Sequence, residues 1–206
     1  MLKNFIFDVD RTLIDSYKVE LESLKQALFI VTNKAYNDEV MNRLTMLTTE
    51  NFFNELGIDI KSDTMKMINR HWERLIKERK IKFFSGIREL LVDLKNNNYF
   101  LGIVTLRTNE ELKELECLMD VIDLFDVVIT SDAVKNPKPN PEALNYIIEK
   151  YNLNRDETIY IGDSISDQKA SSNANIKFGF AAWENENKIE QYDYIFKAPQ
   201  SIYKIY

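Results

Sequence analysis

The stretch FIFDVDRTLIDS, residues 5–16, opens on Phe5, Ile6 and Phe7 and runs straight into Asp8, Val9, Asp10, Arg11 and Thr12. The apolar run has the length and make-up of a short buried strand. Side chains at i and i+2 of an extended chain point to the same side, so Asp8 and Asp10 would face each other as like charges. Such a pair persists only where something positive balances it.

The rest of the chain tells what kind of sheet this strand joins. From Ser85 onward helix and apolar strand alternate, with helices expected over 87–95, 109–119, 141–151 and 166–173 and strands over 100–105, 127–130, 158–161 and 178–182. This alternation predicts a parallel sheet covered on both faces, and right-handed crossovers make it a Rossmann-like, doubly wound α/β structure. Residues 16–80 read as almost wholly helical. Leu21, Leu24, Leu28 and Val31 recur at helical spacing, as do Met65, Ile68, Trp72 and Leu75 behind an N-cap candidate at Ser62 or Asp63. A shorter amphipathic piece around Phe52, Phe53 and Leu56 stops at Gly57, a natural C-cap. The economical reading is an α/β core, residues 1–15 and 84–206, interrupted after its first strand by an α-helical cap, residues 16–83.

Composition narrows the chemistry. With 206 residues the chain can hold one ordinary domain, or a core with a smaller accessory one. A single cysteine, Cys117, precludes an internal disulfide, and a single histidine, His71, cannot supply a His-based zinc site. Any metal must therefore be held by oxygen ligands, which points to a hard ion such as Mg2+. A formal net charge of -6 argues against nucleic acid as a partner. No apolar stretch approaches the roughly 20 residues that cross a bilayer, and the start lacks the features of a signal peptide. The expectation is a soluble, cytoplasmic protein with neither a membrane nor a nucleic-acid partner.

In open parallel sheets ligands bind at the carboxyl ends of the strands. The first strand ends in Asp8 and Asp10, the second in Thr105, and YIGDSISD, residues 160–167, carries Asp163 and Asp167 past the fourth. Lys138 lies in NPKPNP, residues 136–141, ahead of a helix. Carboxylates, a hydroxyl and an ammonium converging on one edge suit phosphoryl transfer. A divalent cation relieves the repulsion and bridges to a phosphate oxygen, one carboxylate attacks phosphorus, and a second carries the proton.

Asp8-Val9-Asp10-Arg11-Thr12, Thr105, Lys138 in Lys-Pro-Asn-Pro, and Gly162 to Asp167 resemble, in order, the four motifs of the haloacid dehalogenase-like hydrolase superfamily. The helical insertion resembles that superfamily's first type of cap, and residues 191–206 resemble its closing strand and helix. The resemblance is to phosphoglycolate phosphatase-like members, and it implies a Mg2+-dependent phosphatase acting on small-molecule phosphate esters. It gives Asp8 the role of nucleophile and metal ligand, and Asp10 that of general acid/base and of metal ligand through its backbone carbonyl. Thr105 and the backbone N–H of Leu106 would hold the phosphoryl group, and Lys138 would neutralise phosphate and nucleophile. Asp163 would ligate the metal directly, and Asp167 would act through water or by orienting the others. The turn at residues 43–49, with Arg43 and Thr45, is the expected source of substrate contacts. A phosphomutase of the beta-phosphoglucomutase type and a non-catalytic phosphate-binding protein are the alternatives, and both monomer and homodimer are open.

Some residues depart from the resemblance. Arg11 stands where many relatives have glycine; a left-handed backbone there would cost about 1 kcal/mol or more, a strict glycine requirement is not expected, and the residue is read as an exposed loop position, with a role at the cap hinge or substrate edge as the alternative. Leu106 replaces a frequent Asn, and Asn175 a frequent Gly, a change that asparagine tolerates in left-handed geometry. Cys117 is expected to pack and His71 to lie on a surface or groove.

Overall fold

The computed structural model describes residues 1–42, 49–183 and 189–206. The chain forms two compact units, residues 16–81 and residues 1–15 with 82–206. The expected boundary after residue 83 falls two residues earlier. Asp15 donates its N–H to the Lys82 carbonyl at 2.9 Å, and Ile14 forms a β-bridge with Phe83, which ties 82 and 83 to the α/β unit.

The helical unit contains α1 (Ser16–Thr32), α2 (Asp38–Asn42), α3 (Thr49–Glu55) and α4 (Asp63–Arg79). α1 and α4 bury the stripes that their spacing predicts, Leu24 and Leu28 on one and Met65, Ile68 and Leu75 on the other, in one cluster with Phe52 and Phe53. Ser62 caps α4 by accepting the Met65 N–H. α3 ends as expected at Gly57, whose φ of 74° lets Gly57 and Ile58 return their N–H groups to Asn54 and Phe53. Arg43 and Thr45 lie outside the described residues.

The α/β unit is built on β1 (Asn4–Phe7), β2 (Phe100–Val104), β3 (Val127–Ile129), β4 (Thr158–Gly162), β5 (Lys177–Ala181) and β6 (Tyr194–Phe196), ordered β3-β2-β1-β4-β5-β6. Every pairing is parallel. The helices are α5 (Ile87–Asn96), α6 (Asn109–Lys113), α7 (Glu116–Met119), α8 (Glu142–Lys150) and α9 (Ile165–Asn173). The expected continuous helix over 109–119 is broken. Leu115 leaves helical geometry at ψ 82°, and the two short helices that result bury Leu112, Leu115 and Leu118.

β1 lies between β2 and β4 and explains its own composition. Ile6 packs into a core with Val104, Leu144, Ile147, Tyr160 and Ala170, while Phe5, on the opposite face, meets the rings of Tyr99 and Tyr206 edge-on at 5.4 and 5.6 Å. A strand buried on both faces has to be apolar throughout, which is why no alternation is visible in it. Its one polar residue, Asn4, donates to Thr158 Oγ1 at 3.0 Å. Phe7 is level with Ile103 of β2 and Ile161 of β4, so Asp8, Thr105 and Asp163 leave three adjacent strands at the same edge.

Truncating Ile6 leaves a void where the central strand cannot relax, so Ile6→Ala should destabilise the fold by about 2–5 kcal/mol in urea denaturation. A loss below about 1 kcal/mol would contradict the placement of β1 at the centre.

Candidate active site

Asp8 is held at the end of β1 by its N–H, which donates to the Ile161 carbonyl of β4 at 2.8 Å. The chain then turns sharply: the Val9 carbonyl accepts N–H groups from Thr12, Leu13 and Ile14, and Arg11 donates its N–H to Ile14. Arg11 occupies the left-handed region at φ 58°, so this position does require the conformation that glycine adopts freely. Asn175 has φ 52°, in the geometry that asparagine tolerates.

The centre of the site is Lys138, which is 8% exposed. Its ammonium donates to Asp8 Oδ1 at 2.6 Å, to Asp167 Oδ1 at 2.6 Å and to the Tyr160 hydroxyl at 2.8 Å. All three donors of the ammonium are thereby used. Tyr160 sits in the middle of β4, wholly buried, with its hydroxyl 2.8 Å from the Val104 carbonyl and 3.0 Å from Asp167 Oδ1. Asp167 also closes a capping box at the start of α9, where its Oδ2 accepts from the Ser164 hydroxyl at 2.6 Å and the Ser164 N–H at 3.0 Å. Both oxygens of Asp167 are thus committed to neighbours, which suits a residue that orients others. Gly162 is needed beside it, because a Cβ at that position would lie 2.6 Å from Asp167 Cγ.

Asp8, Asp163 and Asp167 offer one oxygen each within 4.8 Å of one another, and all three are buried. A buried carboxylate trio of this kind is able to hold a divalent cation through hard oxygen ligands. Burial pushes the Asp163 carboxyl up to about 7, helped by Asp167 and opposed by Arg11 and Lys138. Asp8 is raised for the same first reason, with Lys138 pulling the other way. Burial alone would lower the Lys138 ammonium, but Asp8 and Asp167 outweigh it and hold the group firmly protonated.

The other expected residues are placed as follows. Thr105, buried at the end of β2, accepts the Arg107 N–H on its Oγ1 at 3.1 Å, and the Leu106 side chain is exposed. Asp10 makes a two-pronged contact with Arg107, Nε to Oδ2 at 2.8 Å and Nη2 to Oδ1 at 2.5 Å. Arg11, expected as an exposed loop residue, is instead part-buried with its Nε 3.3 Å from Asp163 Oδ2. Arg107 and Tyr160 were not anticipated. Their only signals are a charged residue two places after Thr105 and a hydroxyl-bearing ring inside an otherwise aliphatic strand.

A parallel sheet that gathers these carboxylates and a lysine at the ends of its central strands defines a class of hydrolase. The chain belongs to the haloacid dehalogenase-like hydrolase family, whose model matches residues 5–181. It is an enzyme of that family. Pyrophosphatase PpaX of Bacillus velezensis is 29% identical over 180 residues, covering 86% of this chain and 82% of its own length. A Thermotoga maritima structure assigned as a beta-phosphoglucomutase matches with a TM-score of 0.82 at 22% identity, covering 100% of both chains. A Lactobacillus plantarum structure assigned as a phosphoglycolate phosphatase gives 0.78 at 24% identity, again over 100% of both. At these identities the two structures support the fold.

The raised Asp163 carboxyl has a stability consequence without metal. Protonation favours the folded state, so its contribution is complete below about pH 4 and is lost as pH rises through about 7. The Tm of EDTA-treated protein should fall over that window, and Asp163→Asn should make the fall shallower. An identical decline in the variant would contradict this.

Proposed function

We propose that the protein is a Mg2+-dependent phosphatase of small phosphate esters that works through an aspartyl phosphate on Asp8. The observation that carries the reading is the Lys138 ammonium shared between Asp8 and Asp167, with Asp163 alongside. A lysine bonded to the carboxylate at the end of the central strand opposes the rise that burial imposes on that carboxyl and meets the charge of the incoming phosphoryl group.

The steps follow from the side chains. An Asp8 oxygen attacks phosphorus and the bond from phosphorus to the ester oxygen breaks. The departing alkoxide takes a proton from the Asp10 carboxyl. Water then attacks the phosphorus of the acyl phosphate, gives its proton back to Asp10, and releases phosphate with the Asp8 carboxylate restored. The fork of Arg107 is one that an ionised carboxylate accepts, so it suits Asp10 as the base of the second half, and it has to loosen for Asp10 to deliver a proton in the first. Thr105 and the Leu106 N–H hold the phosphoryl oxygens during transfer. Asp8, Asp163 and the Asp10 carbonyl would hold Mg2+, with Asp167 keeping them in place; when bound, the ion offsets the charge that develops on the phosphoryl oxygens. The all-oxygen donor set fits this hard cation better than a softer one.

Asp8→Asn removes the nucleophile at nearly constant shape, so kcat should fall by about three orders of magnitude or more while the circular dichroism spectrum is unchanged. Turnover near that of the parent would exclude Asp8 as nucleophile. The assay is phosphate release from a panel of esters with Mg2+ or EDTA. Pyrophosphate belongs in it because a relative is named a pyrophosphatase, and a hexose 1-phosphate because isomerisation without phosphate release would replace hydrolysis by mutase chemistry.

The helical unit, residues 16–81, is proposed as the cap that selects the substrate, with Arg43 and Thr45 as first candidates. Alanine at both should change the ranking of kcat/KM across the panel by about tenfold for at least one ester. An unchanged ranking would assign selectivity elsewhere.

A further inference from the structure

We propose that Arg11 is a positioning residue of the metal site: its guanidinium is the built-in counter-charge of Asp163, and it sets how tightly a divalent cation is held there. The inference rests on the reading of Asp163 as a cation ligand.

Two independent features of Arg11 lead to it. The first is its backbone. A φ of 58° is a conformation that costs a non-glycine residue on the order of 1 kcal/mol, and the Val9 to Ile14 turn holds it there. Glycine would take the same turn without that cost. The second is where the side chain goes. Its Nε lies 3.3 Å from Asp163 Oδ2, with the guanidinium side chain 25% exposed and the carboxylate 7% exposed.

The charge pattern around the site gives the contact its meaning. Asp8 and Asp167 share Lys138, and Asp10 faces Arg107. Asp163 faces Arg11. Every carboxylate of the site is therefore accompanied by a cation of the chain, and the one opposite Asp163 is supplied from the same turn that carries Asp10. This pairing keeps Asp163 in place without metal. An arriving Mg2+ meets a guanidinium already on one of its ligands, and it has to displace or share that contact while sitting next to a like charge. Both effects weaken cation binding, so the site would load only at higher free Mg2+ than one with glycine at position 11.

The test is calorimetric titration of Mg2+ into metal-stripped protein with no substrate, at about pH 9, well above the raised Asp163 carboxyl, so that protons do not compete for that ligand. Arg11→Gln removes the charge and keeps a side chain, and Arg11→Gly removes the charge and relaxes the backbone. Both should bind Mg2+ about tenfold more tightly than the parent, as expected for removing one like charge a few ångströms from a divalent ion. Arg11→Lys keeps the charge and should stay within about threefold of the parent. Asp163→Asn is the control for the site. If Arg11→Gln binds no more tightly than the parent while Asp163→Asn loses binding, the metal reading stands and the role of Arg11 is overturned. Tightening in Arg11→Gly alone would assign the effect to the backbone and also overturn it, as would equal tightening in Arg11→Lys. A parent protein that binds no Mg2+ would overturn both readings.

Discussion

The ammonium of Lys138 between Asp8 and Asp167 is the contact on which the rest of the site depends. A buried carboxylate at the end of a central strand is costly, and two of them side by side more so, unless a cation with matching donors is built in. Lys138 provides that cation, and the surroundings are arranged to hold it. Tyr160 accepts its third hydrogen bond, Asp167 is fixed by Ser164 at the start of α9, and Gly162 leaves room for Asp167 to come close. Removing one partner would leave a buried charge uncompensated, which is why these residues have to be considered together and not as separate ligands.

The fold was legible because its two periodicities differ. Alternating short apolar runs and helices after residue 85 could only build a parallel sheet, while the stripes in α1 and α4 could only build a helical unit. The strand ends carrying Asp8, Thr105 and Asp163 were legible for the same reason: a polar residue directly after a buried strand lies at the edge where ligands bind. The break at Leu115 was not, since Leu112, Leu115 and Leu118 have spacing that a continuous helix would also satisfy.

What sequence alone missed in the site was pairing. Nothing in the letters shows that Arg107, after β2, reaches Asp10 after the neighbouring β1, or that the Tyr160 hydroxyl meets the Lys138 ammonium. Arg11 was misjudged for a different reason. A loop residue without a partner in sequence looks exposed, yet the turn that gives it a left-handed backbone also directs its side chain to Asp163, more than a hundred residues away in the chain. Long-range electrostatic partners are set by the tertiary fold, whereas strand ends are set locally.

Taken together, the site separates into a fixed part and a balanced part. Asp8, Lys138, Tyr160 and Asp167 form a buried, mutually bonded group, and Asp10 and Asp163 are each held by an arginine that is more exposed than Lys138. In the proposed mechanism the fixed part bears the covalent step. It is tested most directly by quenching the enzyme during turnover of a phosphate ester, trapping any acyl phosphate with hydroxylamine and locating the modified residue by mass spectrometry. Modification of Asp8, dependent on substrate, is the expected result; continued phosphate release with Asp8 unmodified under trapping conditions would contradict a covalent mechanism.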